Sequence, residues 1–352
     1  MINNFTTLNF LIVFSLVSFF ITFLVQKIFN KKNGILLDSD FLKPQAFHKT
    51  PIARSGGLAS IISLIIFFTA YFFIFKIILL DYLIIGASMF CIGFLDDMKI
   101  KIKPKIRLLM MVIFLLIGII LFSVNLKNID LIFLELMLES KFLNISFILL
   151  CFLFIINGAN LIDGFNGLIS MHLIIVNSIL FFINLENENS ELLTIIFVQI
   201  IILITFLLFN FPKAKIFLGD GGSYLFGALT VLNIIKTNNS NDEISSFFFC
   251  ILVFYLFFEV FFSFFRKIYL NKSPLKPDSN HLHMLTFRWL DKFQKFKDCN
   301  YLNSILINLI FLLLLLPSVY FRHNSLFCKY WFFSLLAFYI IFYLRLYSFT
   351  KK

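Results

Sequence analysis

Residues 157–167 read Asn157-Gly158-Ala159-Asn160-Leu161-Ile162-Asp163-Gly164-Phe165-Asn166-Gly167. The stretch separates two long apolar runs, Phe142 to Ile156 and Leu168 to Ile183. Three asparagines, one aspartate and three glycines stand where an unbroken apolar run would be easiest to bury in lipid. Unpaired amides and carboxylates are costly in hydrocarbon, so this stretch needs protein or water around it. Its glycines let the backbone turn tightly or approach a ligand. Taken alone it fits a plain loop between two membrane helices, and the rest of the chain decides whether it is more.

The rest of the chain is built for lipid. Of 352 residues, 60% are hydrophobic and only 14% charged, with mean hydropathy +0.95; a soluble domain is roughly half apolar and a quarter charged. The apolar runs have the length of membrane helices, not of short alternating barrel strands. They fall at about 7–29, 55–75, 80–95, 107–123, 143–158, 167–184, 192–210, 221–236, 246–268, 303–321 and 329–347. The expected fold is all-α: a polytopic integral membrane protein of about eleven transmembrane helices, one catalytic domain over residues 1–352. The first run has no Lys or Arg before Lys27 and no small-residue cleavage site, so it reads as an anchor. Segment 124–142 carries Asp130, Glu135 and Glu139 and is placed outside the bilayer core.

Charge sets the orientation. Of the 30 Lys and Arg residues, 24 lie in the odd-numbered loops and the C-terminal tail. Those loops are therefore cytoplasmic, with the N-terminus outside and the C-terminus inside. The net charge of +11 is explained by this asymmetry rather than by nucleic acid. The five cysteines are scattered with no CxxC and read as small inert hydrophobes. The 53 phenylalanines read as lipid-facing surface. In the cytoplasmic loop 269–302, Leu282, Leu285, Trp289, Phe293 and Phe296 recur at helical spacing, with Arg288, Lys292 and Lys295 on another face. That predicts a basic amphipathic helix on the membrane surface or capping the cytoplasmic mouth.

The cytoplasmic loops hold the chemistry. The first contains His48, Lys49 and Arg54 ahead of Gly56-Gly57, a pattern that suits phosphate at a helix start, although a positive-inside loop also accounts for it. The second opens with Asp96-Asp97 and runs on through Lys105 to Arg107. Adjacent carboxylates raise each other's pKa unless a cation sits there, and oxygen-only ligands suit Mg²⁺ or Mn²⁺. The fourth carries Gly219-Asp220-Gly221-Gly222-Ser223, where a carboxylate could hold a cation while backbone amides face a phosphate; a simple N-cap by Asp220 is the rival. The fifth carries His281 and His283 two apart, without zinc-spaced Cys or Glu, so hydrogen-bonding or phosphate roles are preferred. His172 and His323 read as structural. Carboxylates, basic groups and an Asn/Asp loop on one side of the membrane suit a reaction between a soluble phosphorylated donor and a lipid-anchored acceptor.

Asp96-Asp97, Asn160-Leu161-Ile162-Asp163-Gly164-Phe165-Asn166-Gly167, Gly219-Asp220-Gly221-Gly222-Ser223 and Pro277-Asp278-Ser279-Asn280-His281-Leu282-His283 occur in that order. Over roughly residues 43–290 the chain resembles the polyprenyl-phosphate N-acetylhexosamine-1-phosphate transferases. It looks closer to the undecaprenyl-phosphate N-acetylglucosamine-1-phosphate transferase branch than to the muramoyl-pentapeptide transferase branch. The resemblance implies transfer of an N-acetylhexosamine-1-phosphate from a UDP-sugar to undecaprenyl phosphate, with UMP released and Mg²⁺ required. The product would start O-antigen or a similar cell-envelope glycan at the bacterial inner membrane.

It also implies roles. Asp220 with Asp96 or Asp97 would hold the metal, and the other Asp would bind or deprotonate the lipid phosphate. Asn160 and Asp163 would orient the nucleotide, with Asn157, Asn166 and Lys105 also at the substrate. His48, Lys49, Arg54, His281, His283 and Arg288 would contact phosphates. Two positions depart from the family: Asn166 where Asp is usual, and Met284 where a third His is frequent. Three alternatives stand beside this reading: the muramoyl-pentapeptide branch, a transporter of lipid-linked sugars, and a non-catalytic scaffold. A transporter would carry polar groups deep in several spans. A homodimer is compatible with the sequence.

Overall fold

The computed structural model describes residues 5–30, 34–39, 50–100, 102–127, 129–186, 190–274, 278–292 and 298–351. His48 and Lys49 lie outside the described residues. Each predicted apolar run is helical. In chain order the long helices are α1 (Phe5–Phe29), α2 (Gly56–Phe75), α3 (Leu80–Asp97), α4 (Pro104–Leu121), α6 (Lys141–Ile162), α7 (Leu168–Glu186), α8 (Ser190–Asn210), α9 (Gly219–Asn239), α13 (Cys299–Tyr320) and α14 (Ser325–Lys351). The expected run 246–268 is two helices, α10 (Ser246–Leu252) and α11 (Phe254–Tyr269), bent by 73° at Val253. The segment expected outside the bilayer holds only the short α5 (Ile132–Leu138).

Eight of the described helices are long and apolar enough to cross a membrane, or nine if the bent pair is one span. The chain is thus a multi-pass membrane protein. The shortfall from eleven lies in α3 and α9, and the physical reason is their position. α3 carries Asp81, Asp96 and Asp97, and α9 is rich in Gly, Ser, Thr and Asn. α9 is the central helix, buried along nearly its whole length against α3, α6, α2 and α7. A helix enclosed by other helices has no need of a lipid-compatible surface. By contrast α1, α4 and α14 present rows of exposed Leu, Ile and Phe, as a lipid-facing surface does.

Polar groups do occur deep between helices, more of them than the sequence suggested. Asn233 donates to Asn177 Oδ1 at 2.8 Å and to Gln199 Oε1 at 2.9 Å, and Asn184 donates to Thr237 at 2.8 Å. These are neutral side chains bonded to one another, a pattern that glues membrane helices together. His172 is fully buried with its ring 4.0 Å from that of Phe311. All five cysteines are free.

Two further departures concern the site. The fold is not purely helical: β1 (Leu37–Asp38) pairs antiparallel with β2 (Ile52–Ala53), and Ala53 bridges in parallel to Ile216. This small sheet pins the segment ahead of α2 to the segment ahead of α9. The basic amphipathic helix expected on the membrane surface or capping the cytoplasmic mouth is present as α12 (Leu282–Lys292), with its inward face taken up by the protein itself; Phe293, Lys295 and Phe296 lie outside the described residues. It packs between α13 and α14 and buries Leu282, His283, Met284, Leu285, Thr286 and Leu290. Polar His283 and Thr286 belong to the inward face, so the helix is held by hydrogen bonds as well as by its apolar stripe.

Candidate active site

The site forms where the first turn of α9 meets the last turn of α3. A helix starts with N–H groups that lack partners inside it, and here carboxylates from elsewhere supply them. Asp97 Oδ1 accepts from the Asp220 amide and Asp97 Oδ2 from the Gly221 amide, both at 2.9 Å. The Gly219 amide bonds the Asp163 carboxylate. Gly219 has φ +77°, and a Cβ there would lie 2.6 Å from Asp97 Oδ2, so only glycine fits the turn. The amides expected to face a phosphate are therefore satisfied by Asp97 and Asp163. Asp220 does not cap its own helix, and its side chain is released toward α3 and α4.

Asp97 is 2% exposed, with both oxygens engaged. Asp96, its neighbour, points elsewhere. Arg107 Nη1 donates to Asp96 Oδ2 and lies 3.3 Å from Asp220 Oδ2. One cationic nitrogen thus stands between the carboxylates of Asp96 and Asp220. Arg54 closes the other side, with Nη1 at 3.5 Å from Asp220 Oδ1 and 3.7 Å from Asp97 Oδ1. Its Nε and Nη2 are held by Asp38 Oδ2 at 2.9 and 2.7 Å. Burial works against the Arg54 charge, but Asp220, Asp38 and Asp97 outweigh it and hold its pKa above the ordinary value.

Asp163 follows the last residue of α6. The polar stretch 157–167 is a loop only from Asp163 onward, because α6 continues through Ile162. Asn157 and Asn160 are helical, bonded to the Leu153 carbonyl at 2.7 Å and to Ser223 Oγ at 3.1 Å. Burial pushes the Asp163 carboxyl up to about 7, against the pull of Arg54. Asn166 braces the loop: its side chain donates to the Pro212 carbonyl at 2.9 Å, and its amide donates to Asn300 at 2.8 Å. Lys105 is exposed in the first turn of α4, two residues before Arg107.

The His loop meets this centre through Phe165, whose ring packs 5.8 Å from that of His283 and 5.2 Å from that of Phe287. The two imidazoles stack in parallel, 5.4 Å apart and 8° from coplanar orientation. Although they belong to a loop that the sequence places on the cytoplasmic side, His281 is 1% and His283 0% exposed. Tertiary burial of α12 is the cause, and it lowers the His283 pKa to about 3. His281 Nδ1 lies 2.9 Å from Glu259 Oε2. Both Nε2 atoms are buried without a hydrogen-bond partner among the described residues. Arg288 folds back on the Ser279 carbonyl and on Asn280 Oδ1 at 3.1 Å.

Sequence reasoning passed over Glu259, Arg266, Asp38 and the bridging role of Arg107. Glu259 is a lone acid within a Phe-rich helix, and that isolation was a usable signal. Arg266 binds Asp278 and the Asn280 carbonyl. Burial opposes the Asp278 charge, but Arg266 holds its carboxyl below the usual range. Asp38 and Arg107 carried no such mark; one is a single acid before a loop, the other one cation in a basic run.

Residues 77–238, from just ahead of α3 to the end of α9, match the family described as glycosyl transferase family 4. An undecaprenyl-phosphate alpha-N-acetylglucosaminyl 1-phosphate transferase of Thermotoga maritima is 27% identical over 80% of this chain and 82% of its own. A probable undecaprenyl-phosphate N-acetylglucosaminyl 1-phosphate transferase of Bacillus subtilis is 30% identical over 67% of this chain and 66% of its own. A phospho-N-acetylmuramoyl-pentapeptide-transferase of Staphylococcus haemolyticus is 28% identical over 54% of this chain and 64% of its own. The matched region contains Asp96, Asp97, Asp163 and Asp220, the four carboxylates that the fold draws together. The chain is a multi-pass membrane phosphotransferase and belongs to glycosyl transferase family 4.

Proposed function

We propose that the protein transfers N-acetylhexosamine-1-phosphate, with N-acetylglucosamine the favoured sugar, from a UDP-sugar to undecaprenyl phosphate, releasing UMP. The observation that carries this reading is the meeting of Asp96 and Asp220 on one Arg107 nitrogen, beside Arg54. Arg107 already sets positive charge between the two carboxylates, and a divalent ion held there by Asp96 and Asp220 would suit a diphosphate. Among the described residues no group of three or more His, Cys, Asp or Glu is placed to hold a metal ion, so Asp96, Asp97 and Asp220 do not form a three-carboxylate site. Two carboxylates with substrate oxygens and water are what Mg²⁺ accepts, and Mn²⁺ fits equally. When bound, the ion would neutralise charge on the diphosphate as UMP departs.

The chain's own residues do the rest. Asp97 and Asp163 fix the first turn of α9, and so fix Asp220. Arg54 and Arg107 supply positive charge for phosphate oxygens, and Asp220 and Asp96 would hold the divalent ion. His281 Nε2 and His283 Nε2 are the unpartnered polar atoms offered to the phosphates, and Asn160 borders the nucleotide. An oxygen of the lipid phosphate attacks the sugar-linked phosphorus, the bond to the UMP oxygen breaks, and UMP leaves. In this reading the basic loops face the cytoplasm of a bacterial inner membrane, and the product begins a cell-envelope glycan. A homodimer is compatible with the reaction, and nucleic acid has no part in it.

The test is the purified chain with undecaprenyl phosphate, Mg²⁺ and a panel of UDP-N-acetylhexosamines that includes UDP-N-acetylmuramoyl-pentapeptide. UMP release and product masses are read together. UMP with an N-acetylglucosaminyl-diphospholipid is expected. A product from the pentapeptide donor alone would move the chain to the other branch, and no UMP with any donor would defeat the reading.

A further inference from the structure

We propose that the last membrane helix, α14, belongs to the transfer apparatus, with Tyr339 and Tyr343 as positioning residues for His281. The inference rests on the function proposed above. Tyr339 donates its hydroxyl to Glu259 Oε1 at 3.0 Å. Glu259 holds His281 Nδ1 at 2.9 Å through its other oxygen, and Oε1 also accepts the Leu282 amide at 3.0 Å. One turn further along α14, Tyr343 donates to the Asn280 carbonyl at 2.9 Å. Arg266 donates to that carbonyl and to the Tyr343 hydroxyl. The residues on either side of His281 in the chain, Asn280 and Leu282, are thus both fastened, one directly to α14 and one through Glu259.

The acid, the imidazole and both tyrosines are enclosed: Glu259 and His281 are 1% exposed, Tyr339 4% and Tyr343 2%. The opposite face of α14 shows Phe338, Ile341 and Leu344 to the lipid. Its buried hydroxyls therefore converge on the His loop. Tying Nδ1 to a carboxylate fixes the ring's orientation and leaves Nε2 for a partner from outside the chain. That Nε2 is buried and has no hydrogen-bond partner among the described residues. A buried polar atom left in this state needs an explanation, and a group from the substrate supplies one. The clamp therefore fixes the direction of Nε2 before substrate arrives, and in the imidazolium form its N–H is a donor for a phosphate oxygen.

The experiment uses full-length purified protein carrying Tyr339→Phe or Tyr343→Phe, each alone and combined with His281→Ala. Leu335→Ala, a buried packing residue on the same helix, is the control. UMP release with undecaprenyl phosphate and UDP-N-acetylglucosamine gives kcat and KM. Carbethoxylation of His281 by diethyl pyrocarbonate, followed by peptide mass, gives ring accessibility without any turnover. Each Tyr→Phe change is expected to lower kcat about tenfold with donor KM within about twofold, and to speed His281 modification. On the His281→Ala background the same changes should alter kcat by less than about twofold. Additive losses on that background, unchanged kcat with unchanged modification, or an equal kcat loss in Leu335→Ala would overturn the proposal. If the unaltered protein releases no UMP, the function reading fails, and the modification rates still judge the clamp.

Discussion

At the scale of single residues, Asp96, Asp97 and Asp220 look alike in the sequence and are employed differently in the fold. Asp97→Asn keeps one acceptor oxygen and replaces the other with an amide that repels a backbone N–H. It should cost about 1.5–3 kcal/mol of stability and lower transfer with it. Asp220→Asn removes a carboxylate from a like-charged cluster, so it should abolish most UMP release while the melting temperature holds or rises. Melting curves and turnover for the two variants check this; equal destabilisation by both would refute the division of labour. His283 offers a pH prediction. Its pKa is lowered to about 3 from an ordinary imidazole value near 6.5, so the folded protein resists a proton that the unfolded chain takes. Stability from this group is intact above about pH 6.5 and falls by about 1.4 kcal/mol per unit as pH drops toward 3. His283→Gln should flatten that acid-side slope in detergent melts, and an unchanged slope would deny the burial. The sequence marked Asp97 and His283 as chemical, because paired acids and paired His are uncommon near apolar runs. It could not show that Asp97 caps a helix starting more than a hundred residues later, nor that α12 turns inward, since both depend on packing.

At the scale of elements, the α3–α9 contact decides the geometry. A Cβ on Gly93 would lie 2.3 Å from the Asp220 carbonyl oxygen and 2.6 Å from the Gly221 amide nitrogen. Backbone atoms cannot yield as a flexible side chain can. Gly93→Ala should push α3 off the first turn of α9, separate Asp96 from Asp220, and remove transfer while leaving the protein in the membrane. Gly164 sits in the polar stretch 157–167, yet a Cβ there meets nothing within 4 Å. Gly164→Ala should keep near-normal UMP release, and the reverse ranking of the two variants would contradict this account. Helix positions were legible because apolar runs of spanning length admit few other structures in lipid. The extension of α6 through Asn157 and Asn160 was not, because those amides find partners on their own helix and on α9. The bend at Val253 was hidden as well: no Pro or Gly marks the break.

At the scale of the whole molecule, the ends of the helices agree with one another. The C-terminal ends of α3 and α6 and the N-terminal ends of α2, α4 and α9 meet in one cluster, and the His loop after α11 joins it. Helices that cross in alternating directions produce this gathering only if α3 and α9 cross too, despite their charge and polarity. Among the described basic residues that the sequence assigns to one side, Arg54, Arg107, Arg266 and Arg288 lie at the site's end. At the other end Lys236 pairs with Asp81, joining the far ends of α9 and α3. Orientation in the membrane follows from the imbalance of basic residues between the two sides rather than from the fold itself. In a background with all five cysteines replaced, a cysteine at Ser279 should react with an impermeant maleimide only when the cytoplasmic face is opened. One at Asn239, at the end of α9 remote from the site, should react in intact cells. Labelling of Ser279 in intact cells would put the His loop and its carboxylates outside. A nucleotide-sugar made in the cytoplasm could not then reach them, and the proposed donor would be wrong although the cluster itself stood.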